Sequence, residues 1–108
     1  MSIEDFVLYQ NYPNPFNPTT KIKYTILSVG TRDRVSVQLK VYDVLGNEIA
    51  TLFNEEKPAG TYEVEFSSVG TSRDLSLPTG IYFYQLKVYS EEAGADSFVE
   101  TKKMVLLR

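Results

Sequence analysis

Apolar and polar residues alternate one for one along four separate stretches, and this period of two constrains the fold more than any other feature. Ile22, Tyr24 and Ile26 alternate with Lys21, Lys23 and Thr25, and Val35, Val37, Leu39 and Val41 with Ser36, Gln38 and Lys40. Tyr62, Val64 and Phe66 alternate with Glu63 and Glu65. Tyr82, Tyr84, Leu86 and Val88 alternate with Gln85 and Lys87, although Ile81 and Phe83 interrupt the polar set. Successive side chains of a strand point to opposite faces, so each stretch can bury one face and wet the other, as antiparallel sheets do. No window carries a helical period.

Turn chemistry separates these runs. Gly46-Asn47 predicts a tight hairpin with two positive-φ positions between Val35–Leu45 and Glu48–Phe53. Glu55 to Gly60 reads as a polar loop, Ser67 to Pro78 as a longer connection, and Glu91 to Asp96 as the turn into a last strand. Short strands at this spacing predict an all-β fold, a single immunoglobulin-like antiparallel β-sandwich of about seven strands. At 108 residues the chain is the size of one domain.

Composition narrows the chemistry. There is no cysteine and no histidine, which removes thiol chemistry, the commonest metal ligand and the usual general base near neutral pH. The formal charge is only -3 and no basic stripe stands out, so nucleic-acid binding is not expected. No run approaches the ~20 apolar residues that cross a bilayer as a helix. Gly70 to Asp74 lacks the second glycine of a nucleophile elbow, and Asp43 to Glu48 does not match a calcium loop. The neighbouring carboxylates Glu55/Glu56 and Glu91/Glu92 sit in turn-like segments, where solvation explains them. No catalytic residue, metal ligand or cofactor is expected.

Three segments are more specific. The first is Asn11-Tyr12-Pro13-Asn14-Pro15-Phe16-Asn17-Pro18, where three prolines within six residues forbid a helix and leave few backbone donors. Its structural reading is a rigid cap over a sheet edge or the bottom of the sandwich, with Tyr12 and Phe16 plugging into the core, since proline cannot donate to an incoming strand. The second is Leu77-Pro78-Thr79-Gly80-Ile81-Tyr82-Phe83-Tyr84, where Gly80 is expected to permit a turn and Tyr82 to begin a buried strand. It is not a cell-wall anchoring signal, which needs a further residue between Pro and Thr and an apolar stretch afterwards. The third is Lys102-Lys103-Met104-Val105-Leu106-Leu107-Arg108, strand-like to its last residue.

Together these segments resemble the type A C-terminal sorting domain of the type IX (Por) secretion system, over roughly Leu8 to Arg108. In that resemblance Asn11 to Pro18 match the opening motif, Gly80 and Tyr82 a Gly-x-Tyr segment, and Lys102 to Arg108 the terminal motif that the translocation machinery reads. The resemblance implies a domain that directs an upstream cargo across the outer membrane. Its partners would be an outer-membrane translocon and a sortase-like peptidase that removes the domain. The location would be the periplasm in transit, then the outer membrane, the cell surface or the medium. Residues 1–7 read as a leader or vector-derived segment ahead of the domain at 8–108. The Gly70–Ser76 segment and Arg32–Asp33 look like loop insertions relative to the family. Two rival readings are a carbohydrate-binding sandwich, for which Phe83 is the best exposed ring, and a structural immunoglobulin-like module of a larger extracellular protein.

Overall fold

The computed structural model describes residues 6–27, 35–69, 77–89 and 97–108. The expected insertions, the turn at Glu91 to Asp96 and the Gly70–Asp74 segment lie outside these residues. Seven strands form: β1 (Phe6–Leu8), β2 (Thr19–Ile26), β3 (Val35–Tyr42), β4 (Glu48–Lys57), β5 (Gly60–Ser67), β6 (Gly80–Tyr89) and β7 (Ser97–Leu106). They pair antiparallel in two sheets, in the orders β1-β2-β5 and β4-β3-β6-β7. The all-β sandwich expected from the alternation is the fold observed. The sheet begins at Phe6, whose ring is buried against Phe98 at a centroid distance of 5.5 Å.

The core lies between the two sheets and takes the apolar phase of each alternating run. Ile22, Tyr24 and Ile26 from β2 meet Val37, Leu39 and Val41 from β3 and Tyr84, Leu86 and Val88 from β6, all essentially inaccessible to water. Burying each such side chain stabilises the fold by about 1.5–3 kcal/mol. Tyr24 is stacked between Phe53 of β4 and Tyr62 of β5, at 5.2 and 5.3 Å, so one residue ties both sheets together at their open flank.

Two sequence expectations change here. Residues Glu55 to Lys57 belong to β4 rather than to a loop, and only Pro58-Ala59 connects β4 to β5. The β4 stretch fails to alternate because Leu52 and Ile49 are extra to its pairing with β3, which shifts the side-chain phase twice. The hairpin centre is Val44-Leu45, closed by the Gly46 N–H donating to the Asp43 carbonyl at 3.1 Å. Gly46 follows at a φ of 89°, the left-handed residue of a bulge-type hairpin, in place of a two-residue Gly46-Asn47 turn.

Each sheet edge carries a device against pairing with another chain. β1 is three residues long, and β4 has two bulges and the charges Glu55, Glu56 and Lys57. β5 exposes Glu63 and Glu65. β7 has an ion pair between Glu100 and Lys102 at 3.3 Å on its inward phase, and a second cover described next.

Candidate functional site

The three singled-out segments meet at one end of the sandwich, where β7 finishes. β7 is an edge strand with β6 on one side. On its other side the proline-rich segment runs alongside as a strap. The Phe16 N–H donates to the Val105 carbonyl at 2.9 Å, and the Leu107 N–H donates to the Phe16 carbonyl at 3.0 Å, a parallel bridge of one residue. The Asn14 side-chain carbonyl accepts the Val105 N–H at 2.9 Å, and the Gln10 amide donates to the Lys103 carbonyl at 2.7 Å. Backbone groups that an edge strand would offer to an incoming chain are therefore already occupied from Lys103 to Leu107. Towards its start, at Val99 and Thr101, the same edge pairs with no strand among the described residues.

A buried polar anchor holds the strap. Asn11 is 2% exposed, and its N–H donates to the Tyr84 hydroxyl at 2.8 Å, which in turn donates to the Tyr9 carbonyl at 2.7 Å. The Asn11 amide donates to Thr20 Oγ1 at 3.0 Å and to the Pro13 carbonyl at 3.2 Å. The Thr20 hydroxyl donates to that same carbonyl at 2.8 Å. These buried groups are paired with one another, as buried polar atoms must be. Burial pushes the Tyr84 phenol up to about 12, against the Asn11 N–H that favours its ionised form and with the Glu100 charge that opposes it.

Of the two aromatic plugs expected in the strap, only Phe16 enters the core, 2% exposed and edge-on to Phe66 at 6.1 Å. Tyr12 is 80% exposed. Its backbone exchanges two bonds with Lys21, both at 3.0 Å, which fixes the strap to β2 and turns the ring outward. Pro18 ends the strap by accepting the Ser68 N–H at 2.8 Å.

The second segment abuts the same end. Tyr82 is buried, and its hydroxyl donates to the Pro78 carbonyl at 2.6 Å, which braces the loop before β6. Burial raises the pKa of its phenol, the Asp43 charge adds to this, and Arg108 opposes it. Gly80 departs from expectation, because its φ lies outside the left-handed region and no turn conformation requires a glycine there.

The terminal segment divides by phase. Met104 and Leu106 are fully buried, Val105 is half-buried, and Lys103, Leu107 and Arg108 are exposed. Lys102 is half-buried in its pair with Glu100. Arg108 is held at both ends: its N–H donates to Thr79 Oγ1 and its guanidinium to the Leu77 carbonyl, both at 2.9 Å. Leu77 in turn donates its N–H to the Ser68 carbonyl at 3.0 Å. Of the residues that join the segments, Leu77, Thr79 and Tyr84 lie inside the second quoted segment without a role read for them, and Gln10, Thr20 and Ser68 lie outside all three.

The surface so formed has no cluster of histidine, cysteine or carboxylate side chains able to hold a metal among the described residues. The ring put forward for sugar stacking, Phe83, is half-buried on the outer face of its sheet. What the site offers is shape, an apolar rim and a fixed arginine.

Comparison with known proteins follows this geometry. No curated protein matches the chain. Among solved structures, dimeric latent PorU from Porphyromonas gingivalis has the same fold at a TM-score of 0.68 and 16% identity, over 94% of this chain and 9% of that one. The family model described as the secretion system C-terminal sorting domain matches residues 10–105, which include the strap, Gly80, Tyr82 and most of β7. With nearly its whole length so matched, the chain belongs to the C-terminal sorting domains of the type IX secretion system.

Proposed function

We propose that this domain carries an attached cargo protein across the bacterial outer membrane and is read, folded, at the end where β7 finishes. The observation that carries this reading is the convergence of three segments far apart in sequence on one pole, while the upstream chain joins at the other. Phe6 packs on Phe98, at the start of β7, and Leu106 lies eight residues further on. At the rise of a strand that separation is roughly 27 Å. A cargo fused before Phe6 is therefore attached away from the terminal pole.

The reading implies an outer-membrane translocon as the receptor and a sortase-like peptidase that removes the domain afterwards, near its junction with the cargo. The destination is the cell surface or the medium, with passage through the periplasm. Strand addition at residues 104–108 does not suit this geometry without release of the strap, because Phe16 and Asn14 already fill that edge. Recognition of side chains at the pole suits it better.

The test fuses residues 6–108 to a reporter with a periplasmic export signal, in a host that has the type IX machinery. Appearance of the reporter outside the cell is expected, and retention in the periplasm would refute the proposal. Deleting residues 104–108 would also strip Met104 and Leu106 from the core, so its failure would report unfolding. Removing only Leu107 and Arg108 leaves the buried residues in place and is the cleaner truncation.

A further inference from the structure

Gly80 has no internal reason to be glycine. Its φ is not left-handed, and a Cβ built there meets no atom within 4 Å. Glycine weakens a strand, and close approach of another molecule is one physical reason to tolerate it. In front of Gly80 lies a hollow of about 330 Å³, open to solvent, beneath the β3–β4 hairpin. Val44, Ile49, Leu77, Pro78 and Tyr82 line it. Gly80 lies opposite Leu106 in the β6–β7 register, on the inward phase, so the hollow is the unfilled mouth of the core itself.

Two of the lining residues are exposed aliphatics, Val44 at 62% and Ile81 at 42%, which a soluble surface seldom groups without use. Two charged groups are at hand, Asp43 in the lining and Arg108 beside it. Arg108 spends one guanidinium donor on the Leu77 carbonyl, a wall of the hollow, and its fork has further donors suited to a carboxylate. The nearby Asp43 carboxylate is engaged within its own hairpin, accepting from the Leu45 N–H, the Asn47 N–H and the Asn47 side-chain amide. The volume is at the small end of ligand pockets, which run from roughly 300 Å³ upward, and has room for a side chain rather than a cofactor.

We infer that the hollow before Gly80 seats a bulky apolar side chain of the outer-membrane receptor, on a segment whose adjacent carboxylate pairs with Arg108. The inference rests on the sorting reading and adds to it the contact and the chemistry of the partner. An empty inward position between Leu77 and Tyr82 supplies the seat, and the arginine supplies orientation by a charge-assisted bond.

The experiment measures export of the reporter fused to the wild-type domain and to Gly80→Leu, Arg108→Glu and, away from the pole, Lys87→Glu, with thermal melting of each purified domain. Gly80→Leu fills the seat from within, and export is expected to fall roughly tenfold or more with melting unchanged. Arg108→Glu is expected to fall similarly, and Lys87→Glu to export like wild type. Should Gly80→Leu fail to fold, Arg108→Glu decides alone, since it alters an exposed final residue. Folded Gly80→Leu or Arg108→Glu exported at the wild-type level would overturn the seat and leave the sorting role standing. A wild-type fusion that stays in the periplasm would overturn both.

Discussion

Phe16 and Leu106 lie side by side as parallel neighbours, joined through backbone bonds that Phe16 makes with Val105 and Leu107. Ninety positions apart in the chain, they bring the first and last motifs into one structural unit. Truncation of Phe16 to alanine is expected to cost about 3–5 kcal/mol, the range for a buried phenylalanine. Urea denaturation would measure it. Hydrogen exchange should show the Val105 and Leu107 amides losing protection earliest, because Asn14 and Phe16 are their acceptors.

The Tyr84 hydroxyl bridges the Tyr9 carbonyl and the Asn11 N–H beneath the strap. Tyr84→Phe leaves both main-chain groups without that partner, and the expected loss is about 1–3 kcal/mol. Asn11→Ala should cost a similar amount. Alanine keeps the main-chain N–H that bonds Tyr84, so Asn11→Ala loses only the side-chain amide's bonds, among them those to Thr20 and the Pro13 carbonyl.

Alkaline pH acts on the same network. The folded Tyr84 phenol is raised to about 12 and that of Tyr24 is raised further, mainly by burial, above the ordinary value of 10.0. Native protein then holds these protons while unfolded chains release them, so the contribution of these two groups is fully present below pH 10 and is lost as pH rises from there through 12. Of eight tyrosines, three (Tyr24, Tyr82 and Tyr84) should ionise late in an ultraviolet titration, and Tyr84→Phe should flatten the alkaline loss of stability. Ionisation of all eight together near pH 10 in folded protein would contradict this. At the acid end Asp43 has the opposite sense: its turn hydrogen bonds lower its value, so its contribution is present above the unfolded carboxyl range and fades as pH falls.

Gly46 and Gly80 should respond oppositely to alanine. Gly46 has a φ of 89° and open space around it, so Gly46→Ala meets backbone strain alone, about 1–2 kcal/mol. Gly80 has neither strain nor a neighbour in reach, and Gly80→Ala should be neutral or stabilise by about 0.4–1 kcal/mol. Melting curves of the two variants would check the contrast.

What a lone reading of residues could determine was the face each side chain takes. The alternation in β2, β3, β5 and β6 named the buried set because strand periodicity records inside against outside directly. The proline-rich segment could be recognised as a cap, over an edge or over the bottom of the sandwich, and its likeness to sorting domains was visible in its residues and in those of the terminal run. The alternation does not reveal the full length of β4, because two bulges break its phase and an edge strand can be polar on both sides.

Tertiary structure alone decided who stands beside whom. Pairing across a sheet is made by backbone groups common to every residue, so no local pattern tells that Phe16 borders Leu106, that Tyr12 faces water, or that Arg108 is held by Leu77 and Thr79. The vacancy before Gly80 is of the same kind, since a glycine reads alike in sequence whether it eases a turn or leaves room for another molecule.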